Sequence, residues 1–260
     1  MRAVILAAGL GRRLGDPWGR PKCMCEIGGW PLIHHQMAAL ARAQIRDVVV
    51  VVGHAQEQIR ASLGATARYV VNDRFAETNS MYSFLLAGER LCEERGVCDD
   101  VVVLNSDLLF HPALLDRLFR AHGTALLYDS TSGDEAEHMK VRVEAGRLLE
   151  MSKAMSQGLT HGENLGMLLM TGPVVAEVVA AARIITALGG ERSWLASAIN
   201  RVAPHHPISC VDVAGMPWVE IDFPDDLMYA RAEVYPAITG VPDRRPPTPT
   251  VVPSFLESAS

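Results

Sequence analysis

The sequence predicts an α/β fold built around a parallel sheet. Four apolar, β-branched runs predict strands buried on both faces, because their apolar residues are continuous rather than alternating. These runs lie at 3–8, 47–53, 67–72 and 100–107. Stretches with helical periodicity follow them at 31–45, 55–63, 80–94 and 112–122. Alternation of strand and helix at this spacing favours parallel strands joined by right-handed crossovers.

The second half of the chain has a less regular pattern. Its predicted elements are strands at 125–130, 139–153 (a hairpin that turns at EAG) and 166–172, helices at 173–183 and 191–202, and a strand, turn, strand and helix within 208–235. From Pro236 onward, closely spaced prolines disfavour regular structure. Residues 236–260 are therefore predicted to form an extended arm or a loose tail.

Composition indicates a packed globular protein. The 260 residues are 49% apolar and 21% charged, with a formal net charge of −6, which excludes a disordered or nucleic-acid-coating chain. The five cysteines fit neither a disulfide framework nor a paired zinc site, so we expect reduced thiols in a cytoplasmic protein. The first apolar run is too short for a signal-peptide core or a membrane span.

The stretch after the first strand, LAAGLGRRLGDPWGRPK at 6–22, places positive charge beside a glycine-bearing turn. Such a turn presents unpaired backbone N–H groups and a positive dipole end, which suit phosphate. Arg12, Arg13 and Lys22 add charge there. The dinucleotide fingerprint fails at Leu14, and the GK[ST] of a P-loop is absent. The glycine spacing alone also fits a tight turn with solvated arginines.

Over its whole length this stretch resembles the nucleotidyltransferase signature, LAAGxGxR followed by PK. The resemblance extends to about residue 233 and indicates the MobA-like and sugar-phosphate superfamily, which activates phosphorylated small molecules with a nucleoside triphosphate. It implies a single three-layer α/β/α domain with a mostly parallel mixed, Rossmann-like sheet. The domain would span 1–235, with a nucleotide-binding half at 1–123 and an acceptor-binding half at 124–235, followed by the arm or tail at 236–260.

The resemblance also assigns roles within the signature. The backbone that would hold the triphosphate and base belongs to Leu6, Ala7, Ala8, Gly9 and Gly11. One arginine would grip the phosphates: Arg13 is the better match, and Arg12 stands where small residues are common, so both stay candidates. Lys22 would lie on the side of the α-phosphate.

Two aspartates match further landmarks of the family. Asp107 in VVVLNSDLLF follows a buried strand, at the edge of an open α/β sheet where ligands gather. Asp222 in WVEIDFPDDL follows another strand. The resemblance implies that they hold a divalent metal, normally Mg²⁺, which binds one or two carboxylates together with phosphate oxygens. Either aspartate alone would also fit the N-cap of a helix.

The segment NDRFAETNSMYSFLLA at 72–87 resembles the cytidylyltransferases that act on phosphocholine and phosphonates. In those enzymes an asparagine and the serine-bearing start of a helix contact the nucleotide. The candidates here are Asn72, Thr78, Asn79 and Ser83. Helix capping by Thr78 or Asn79 is the alternative, and it is compatible with nucleotide contact.

The acceptor pocket is expected around MSKAMSQGLTHGENLGMLLM at 151–170. Family members often place a lysine and an ExxG strand entry there, which match Lys153, Glu163, Asn164 and Gly166. Lys153 would pair with the acceptor phosphate, and the glutamate and asparagine would bind its polar end. Trp194 and Trp218 could stack on a quaternary ammonium, but tryptophans more often form core or cleft wall. Trp218 is therefore expected as a wall beside the acceptor.

Together these features predict a Mg²⁺-dependent cytidylyltransferase that joins CTP to a small acceptor and releases pyrophosphate. The acceptor would be of the phosphocholine, phosphoethanolamine, 2-aminoethylphosphonate or 2-hydroxyethylphosphonate type. One alternative is a sugar-1-phosphate or cyclitol-phosphate nucleotidyltransferase that uses another triphosphate, and the other is a non-catalytic nucleotide-binding regulator. No nucleic-acid or membrane partner is expected, and exchange of the proline-rich arm between subunits would give a homodimer.

Overall fold

The computed structural model describes residues 1–15, 19–94, 96–133 and 135–241. Their strands are β1 (Arg2–Ala7), β2 (Glu26–Ile27), β3 (Trp30–Pro31), β4 (Val48–Val52), β5 (Arg68–Val71), β6 (Val101–Asn105), β7 (Leu108–Phe110), β8 (Ala125–Asp129), β9 (Lys140–Glu144), β10 (Arg147–Ser152), β11 (Gly162–Met170), β12 (Ser209–Asp212) and β13 (Trp218–Glu220). Their α-helices are α1 (Leu32–Arg42), α2 (Gln56–Leu63), α3 (Ser80–Glu93), α4 (Ala113–Arg120), α5 (Gly172–Ala187), α6 (Leu195–Val202), α7 (Pro224–Tyr229) and α8 (Tyr235–Thr239). Among these helices none is long and apolar enough to cross a bilayer.

Nine of the strands form one sheet, in the order β5-β4-β1-β6-β11-β8-β12-β10-β9. The neighbours β5, β4, β1 and β6 are parallel, as the four apolar runs predict. Strand β11 is antiparallel to β6 and β8, and β10 is antiparallel to β12 and β9. Because β12 is parallel to β8, β10 and β11 run against all other strands of this sheet. The predicted mostly parallel mixed sheet is confirmed.

Helices cover both faces of this sheet. In β1, Ala3 and Ile5 pack in a cluster with α1, α2 and α4, whereas Val4 and Leu6 pack in a second cluster with α3, α5 and α6. All four residues are buried, because alternate side chains of a strand point to opposite faces. The result is the predicted three-layer α/β/α arrangement.

A separate two-stranded sheet joins two distant parts of the chain. Strand β7, directly after Asp107, pairs antiparallel with β13, so that Leu108 lies opposite Glu220. The N–H of Ile221 donates to the carbonyl of Asp107 at 2.8 Å. This pairing brings Asp222 beside the carboxyl end of β6, where Asp107 lies.

The ends of several elements differ from the sequence prediction in the second half. Strand β11 begins at Gly162 rather than at 166, and α6 begins at Leu195 rather than at 191. Regular structure also continues past Pro236, which lies in the first turn of α8. A π-helical segment, Ala230–Val234, joins α7 to α8 without a break, so Pro236 lies in a continuous helix directly after a local change in its hydrogen-bond pattern. The remainder of the predicted arm, 242–260, lies outside the described residues.

Cys92 and Cys98 form a disulfide, which corrects the expectation of reduced thiols throughout. One bridge between cysteines six residues apart needs no framework of paired cysteines, so the spacing argument could not exclude it. Cys23, Cys25 and Cys210 are free thiols. Burial raises the pKa of Cys25 and of Cys210 to about 12, so both stay protonated at neutral pH.

We expect unfolding without a reductant to expose three reactive thiols, and unfolding after reduction to expose five. The three correspond to the free cysteines, and the other two are locked in the bridge. Alkylation followed by peptide mass spectrometry measures this directly. Labelling of Cys92 and Cys98 before reduction would contradict the bridge.

Candidate active site

A cleft of about 400 Å³ opens at the carboxyl ends of β1 and β6. The glycine-bearing turn and the start of α3 form one wall, and β10, β11 and the start of α6 form the other. The predicted site residues that line it are Leu6, Ala7, Ala8, Gly9, Gly11, Arg13, Lys22, Asn72, Thr78, Asn79, Ser83, Asp107, Lys153, Asn164, Gly166 and Asp222. The structure thus brings most of the candidates into one cavity.

Glycine allows the turn after β1 to pack closely on Lys22. Gly11 has a φ of +59°, and a Cβ at this position would lie 2.8 Å from Cγ of Lys22. At Gly9, by contrast, a Cβ would meet no atom within 4 Å. The turn therefore contacts Lys22 on one side and leaves space beside its backbone on the other, where a ligand could approach.

Lys22 lies between two carboxylates. Its Nζ contacts Oδ1 of Asp222 directly and lies 3.5 Å from Oδ2 of Asp107. The three side chains are only 13–19% exposed, so their charges interact with limited screening by solvent. Three parts of the chain that are far apart in sequence therefore meet at one charged point.

Glu220 adds a third carboxylate to this point. It stands two residues before Asp222, and alternation along an extended chain directs both side chains to the same side. Carboxylate oxygens of Asp107, Glu220 and Asp222 lie within 4.8 Å of one another. Burial, followed by the negative charges of Asp107 and Glu163, raises the pKa of Glu220 to about 8.

This acidic cluster fits a divalent cation. Oδ1 of Asp107 is buried and has no hydrogen-bond partner among the described residues. A buried oxygen without a partner is costly, and a hard cation such as Mg²⁺ prefers oxygen ligands of this kind. The residues present therefore suit the metal that the sequence predicts.

Asn72 organises the wall at the start of α3. Its buried amide donates to Oγ1 of Thr78 at 3.0 Å and to Oγ of Ser83 at 3.1 Å. The side chain of Asn79 accepts from the N–H of Ser80 at 2.8 Å and caps α3. Asn79 therefore combines the capping role with a position in the cleft.

An ion-pair network crosses the cleft to the opposite wall. The guanidinium of Arg13 contacts Oδ2 of Asp222 and Oε2 of Glu137, each at 2.8 Å. The same Glu137 oxygen lies 3.5 Å from Nζ of Lys153, which in turn lies 4.6 Å from the centroid of the Trp194 ring. One carboxylate therefore joins a cation from the nucleotide half to a cation from the acceptor half.

The chain has three lysines, and two of them line this cleft. The third, Lys140, is buried and donates from Nζ to the carbonyl of Lys153 at 3.0 Å. It therefore fixes the backbone from which the Lys153 side chain extends. Lysine in this protein is concentrated at the candidate site.

Comparison with known proteins identifies the family of this chain. Residues 3–207 match the family model of the MobA-like NTP transferase domain. The chain belongs to this family. The predicted family, which is a family of NTP transferases, is confirmed.

Two relatives illustrate the range of this NTP transferase family. The chain is 41% identical over 127 residues to CMP-5'-(3-aminopropyl)phosphonate synthase of Streptomyces rubellomurinus, covering 46% of the chain and 19% of the relative. It is 32% identical over 247 residues to the bifunctional IPC transferase and DIPP synthase of Rubrobacter xylanophilus, covering 89% of the chain and 51% of the relative. The transferase thus matches about half or less of the length of these curated relatives.

A solved structure shares the fold of the transferase. The inositol-1-phosphate CTP transferase from T. maritima superimposes with a TM-score of 0.72 at 23% identity, and the match covers 91% of the transferase and 94% of that protein. This likeness confirms the predicted fold class.

Two predicted substrate-binding residues of the transferase do not line the cleft. Glu163 is buried and contacts the hydroxyl of Ser132, and the indole Nε1 of Trp218 donates to Oδ2 of Asp129 at 2.8 Å. Glu163 and its neighbour Asn164 alternate in β11, and Asn164 is the one that lines the cleft. This placement corrects the prediction that Glu163 and Trp218 form part of the acceptor pocket.

The structure also gives positions for Arg13 and Gly166. The side chain of Arg12 lies outside the described residues of the transferase, whereas the guanidinium of Arg13 lies in the cleft. Gly166 has a φ of +73°, and a Cβ there would lie 2.4 Å from Nδ2 of Asn105. Glycine at this position therefore lets β11 approach Asn105, which also lines the cleft.

The sequence analysis missed several side chains in the cleft of the transferase. They include Asn105, Glu137, Met139 and Glu220. The spacing of Glu220 from Asp222 was a usable signal. Glu137 lies in the connection between β8 and β9, where no periodic pattern indicates which residue faces a cavity.

Proposed function

We propose that the transferase joins the cytidylyl group of CTP to a small phosphorylated or phosphonate acceptor and releases pyrophosphate. The observation that carries this proposal is the position of the cluster formed by Lys22, Asp107 and Asp222. This cluster lies between a backbone turn suited to a triphosphate and the acceptor-side wall. Among the described residues of the acceptor half that line the cleft, Lys153 is the one cation. The similarity to a CMP-phosphonate synthase supports CTP as the donor.

The proposed chemistry is an in-line displacement at phosphorus. An anionic oxygen of the acceptor attacks the α-phosphorus of CTP, and a new P–O bond forms as the bond from the α-phosphorus to the bridging oxygen breaks. The electron pair of that bond leaves with pyrophosphate. A phosphate or phosphonate oxygen is already ionised at neutral pH, so no general base is required, and catalysis depends on alignment and charge neutralisation.

Three cations of the chain divide this work. Lys22 offsets charge at the reacting phosphorus, Arg13 holds the leaving pyrophosphate, and Lys153 holds the acceptor phosphate as a point charge. Asp107, Glu220 and Asp222 would hold Mg²⁺, which when bound supplies Lewis-acid neutralisation of phosphate charge. Each cation has carboxylate partners within the protein, so substrates replace existing ion pairs rather than meeting isolated charges.

The test is pyrophosphate release from CTP and Mg²⁺ with a panel of acceptors. The panel contains phosphocholine, phosphoethanolamine, 2-aminoethylphosphonate, 2-hydroxyethylphosphonate, inositol 1-phosphate and a sugar 1-phosphate. We expect release with one of the small alkyl acceptors and with CTP in preference to ATP, GTP and UTP. Tight CTP binding without release from any acceptor would support a regulatory protein instead.

A cyclitol phosphate is the second candidate acceptor. It is favoured by the similarity to the IPC transferase over 89% of the chain. The acceptor wall argues against it, because Met139, Met151, Leu195 and Ile199 line that side with apolar surface. A cyclitol presents a hydroxyl on almost every ring carbon, and each needs a hydrogen-bond partner when buried. Release with inositol 1-phosphate alone would decide for this second candidate.

A further inference from the structure

Glu137 is the carboxylate that connects the two walls of the cleft. It lies between β8 and β9, within 2.8 Å of Nη1 of Arg13 and 3.5 Å of Nζ of Lys153. Lys153 and then Arg13 hold the pKa of Glu137 below its usual range, so the carboxylate is ionised at neutral pH. In this state each cation has an anionic partner supplied by the protein.

Binding of both substrates changes this balance of charge. The proposed function directs Arg13 to the pyrophosphate end of CTP and Lys153 to the acceptor phosphate. Both cations then face phosphate oxygens, which carry more negative charge than one carboxylate. Glu137 stays beside the cleft but loses its two partners, so the loaded site has an ionised carboxylate next to the side chain that holds the acceptor.

The surroundings of Lys153 indicate which chemical group would replace the lost partners. The ammonium at the end of the Lys153 alkyl chain lies between the Glu137 carboxylate and the face of Trp194. Both groups attract a cation, the first by its charge and the second by the negative face of its ring. An acceptor with a short alkyl chain and an ammonium could take the same place.

We propose that Glu137 makes the transferase selective for acceptors that carry an ammonium group at the end away from the phosphate. This inference rests on the proposed function, and it narrows the acceptor class to aminoalkyl phosphates and phosphonates. A neutral hydroxyl leaves the carboxylate without a cation, and an acceptor with a second anionic group is repelled by it. Glu137 is thus a specificity-determining residue that the family signature does not contain.

The experiment compares the wild type with Glu137→Gln and with the control Glu135→Gln. Glu135 lies on the same connection and is exposed, and it does not line the cleft. Calorimetry measures the binding of 2-aminoethylphosphonate and 2-hydroxyethylphosphonate in the presence of Mg²⁺ and α,β-methylene-CTP, which fills the nucleotide side without reacting. The glutamine variant keeps the shape of the side chain and removes its charge.

We expect the wild type and Glu135→Gln to bind the amine more tightly than the alcohol. Glu137→Gln should reduce that preference about fivefold, because a partly exposed ion pair has a modest strength, and the loss should fall on the amine. Equal affinities in the wild type, or an unchanged preference in Glu137→Gln, would overturn the inference. Turnover assays separate it from the proposed function: release with both acceptors at equal efficiency supports the function and rejects the selectivity. A binding preference that depends on the charge of Glu137, without release of pyrophosphate, supports the selectivity and rejects the proposed function.

Discussion

Asp107→Asn is expected to lower kcat for pyrophosphate release at least about a hundredfold while the fold stays intact. Asparagine has nearly the same shape, so packing at the end of β6 is preserved. It lacks the charge that neutralises Lys22 and that a metal requires, and its amide places N–H donors in an acidic cluster. Oδ1 of Asp107 is buried and has no hydrogen-bond partner in the described chain, so we expect this carboxylate to bind ligands rather than to stabilise the fold.

This experiment needs a folded variant and a matched control. Asp116→Asn makes the same chemical change at an exposed position in α4, away from the cleft, and should keep wild-type kcat. Thermal unfolding by circular dichroism checks that both variants fold. The Mg²⁺ concentration for half-maximal activity should rise in Asp107→Asn if residual activity is measurable. A folded Asp107→Asn variant with near-normal kcat would reject the assignment of this carboxylate.

The parts of the site that the sequence could predict are carried by local patterns. Strand β1, the glycine turn and Lys22 are contiguous, so a single stretch contains both the phosphate-binding backbone and its charge. Asp107 and Asp222 each follow an apolar strand, where the carboxyl edge of a sheet collects ligands. The nucleotide wall at Asn72 is also local, since the side chain of Asn72 bonds to Arg74, Thr78 and Ser83, all within eleven residues along the chain.

The parts that the sequence could not predict depend on contacts between distant segments. The spacing of Glu220 from Asp222 indicates that the two share a side, but Glu220 faces Asp107 because β13 pairs with β7, and this pairing has no local signal. Glu137 lies in a connection without periodicity, although it contacts both Arg13 and Lys153. The exclusion of Glu163 from the cleft is set by the register of β11 against β8. One residue of register decides which of two polar neighbours faces the ligand.

The same distinction holds for the fold. Continuous apolar strands predict a parallel sheet because only burial on both faces tolerates them. Strand β11, by contrast, is inserted antiparallel between β6 and β8, and its polar start at Gly162 and Glu163 reads as a loop. Its true length follows from pairing with β9 as well as β8. The apolar pattern of the sequence identifies β11, but pairing with the neighbouring strands determines the residue at which β11 begins.

Lys22→Met is expected to lower kcat by about a hundredfold, comparable to the loss from one preorganised charge-stabilising donor. Methionine keeps the unbranched stem of the side chain beside Gly11 and removes the ammonium that offsets charge at the reacting phosphorus. Lys22→Arg serves as the charge-conserving control. Its planar fork does not fit a site shaped for a point charge between two carboxylates, so we expect partial recovery only.

A second measurement on Lys22→Met separates a role in charge neutralisation from a general loss of structure. Without the ammonium, Asp107 and Asp222 lose the cation that lies between them, and their two carboxylates face each other. Like charges at this distance repel, so the Tm without metal should fall. Addition of MgCl₂ should restore it, and the rise in Tm should be larger in Lys22→Met than in the wild type, because binding to the folded state stabilises it. If the Tm of Lys22→Met is lowered equally with and without Mg²⁺, Lys22 acts through packing. If the folded variant has a normal kcat, Lys22 takes no part in the reaction.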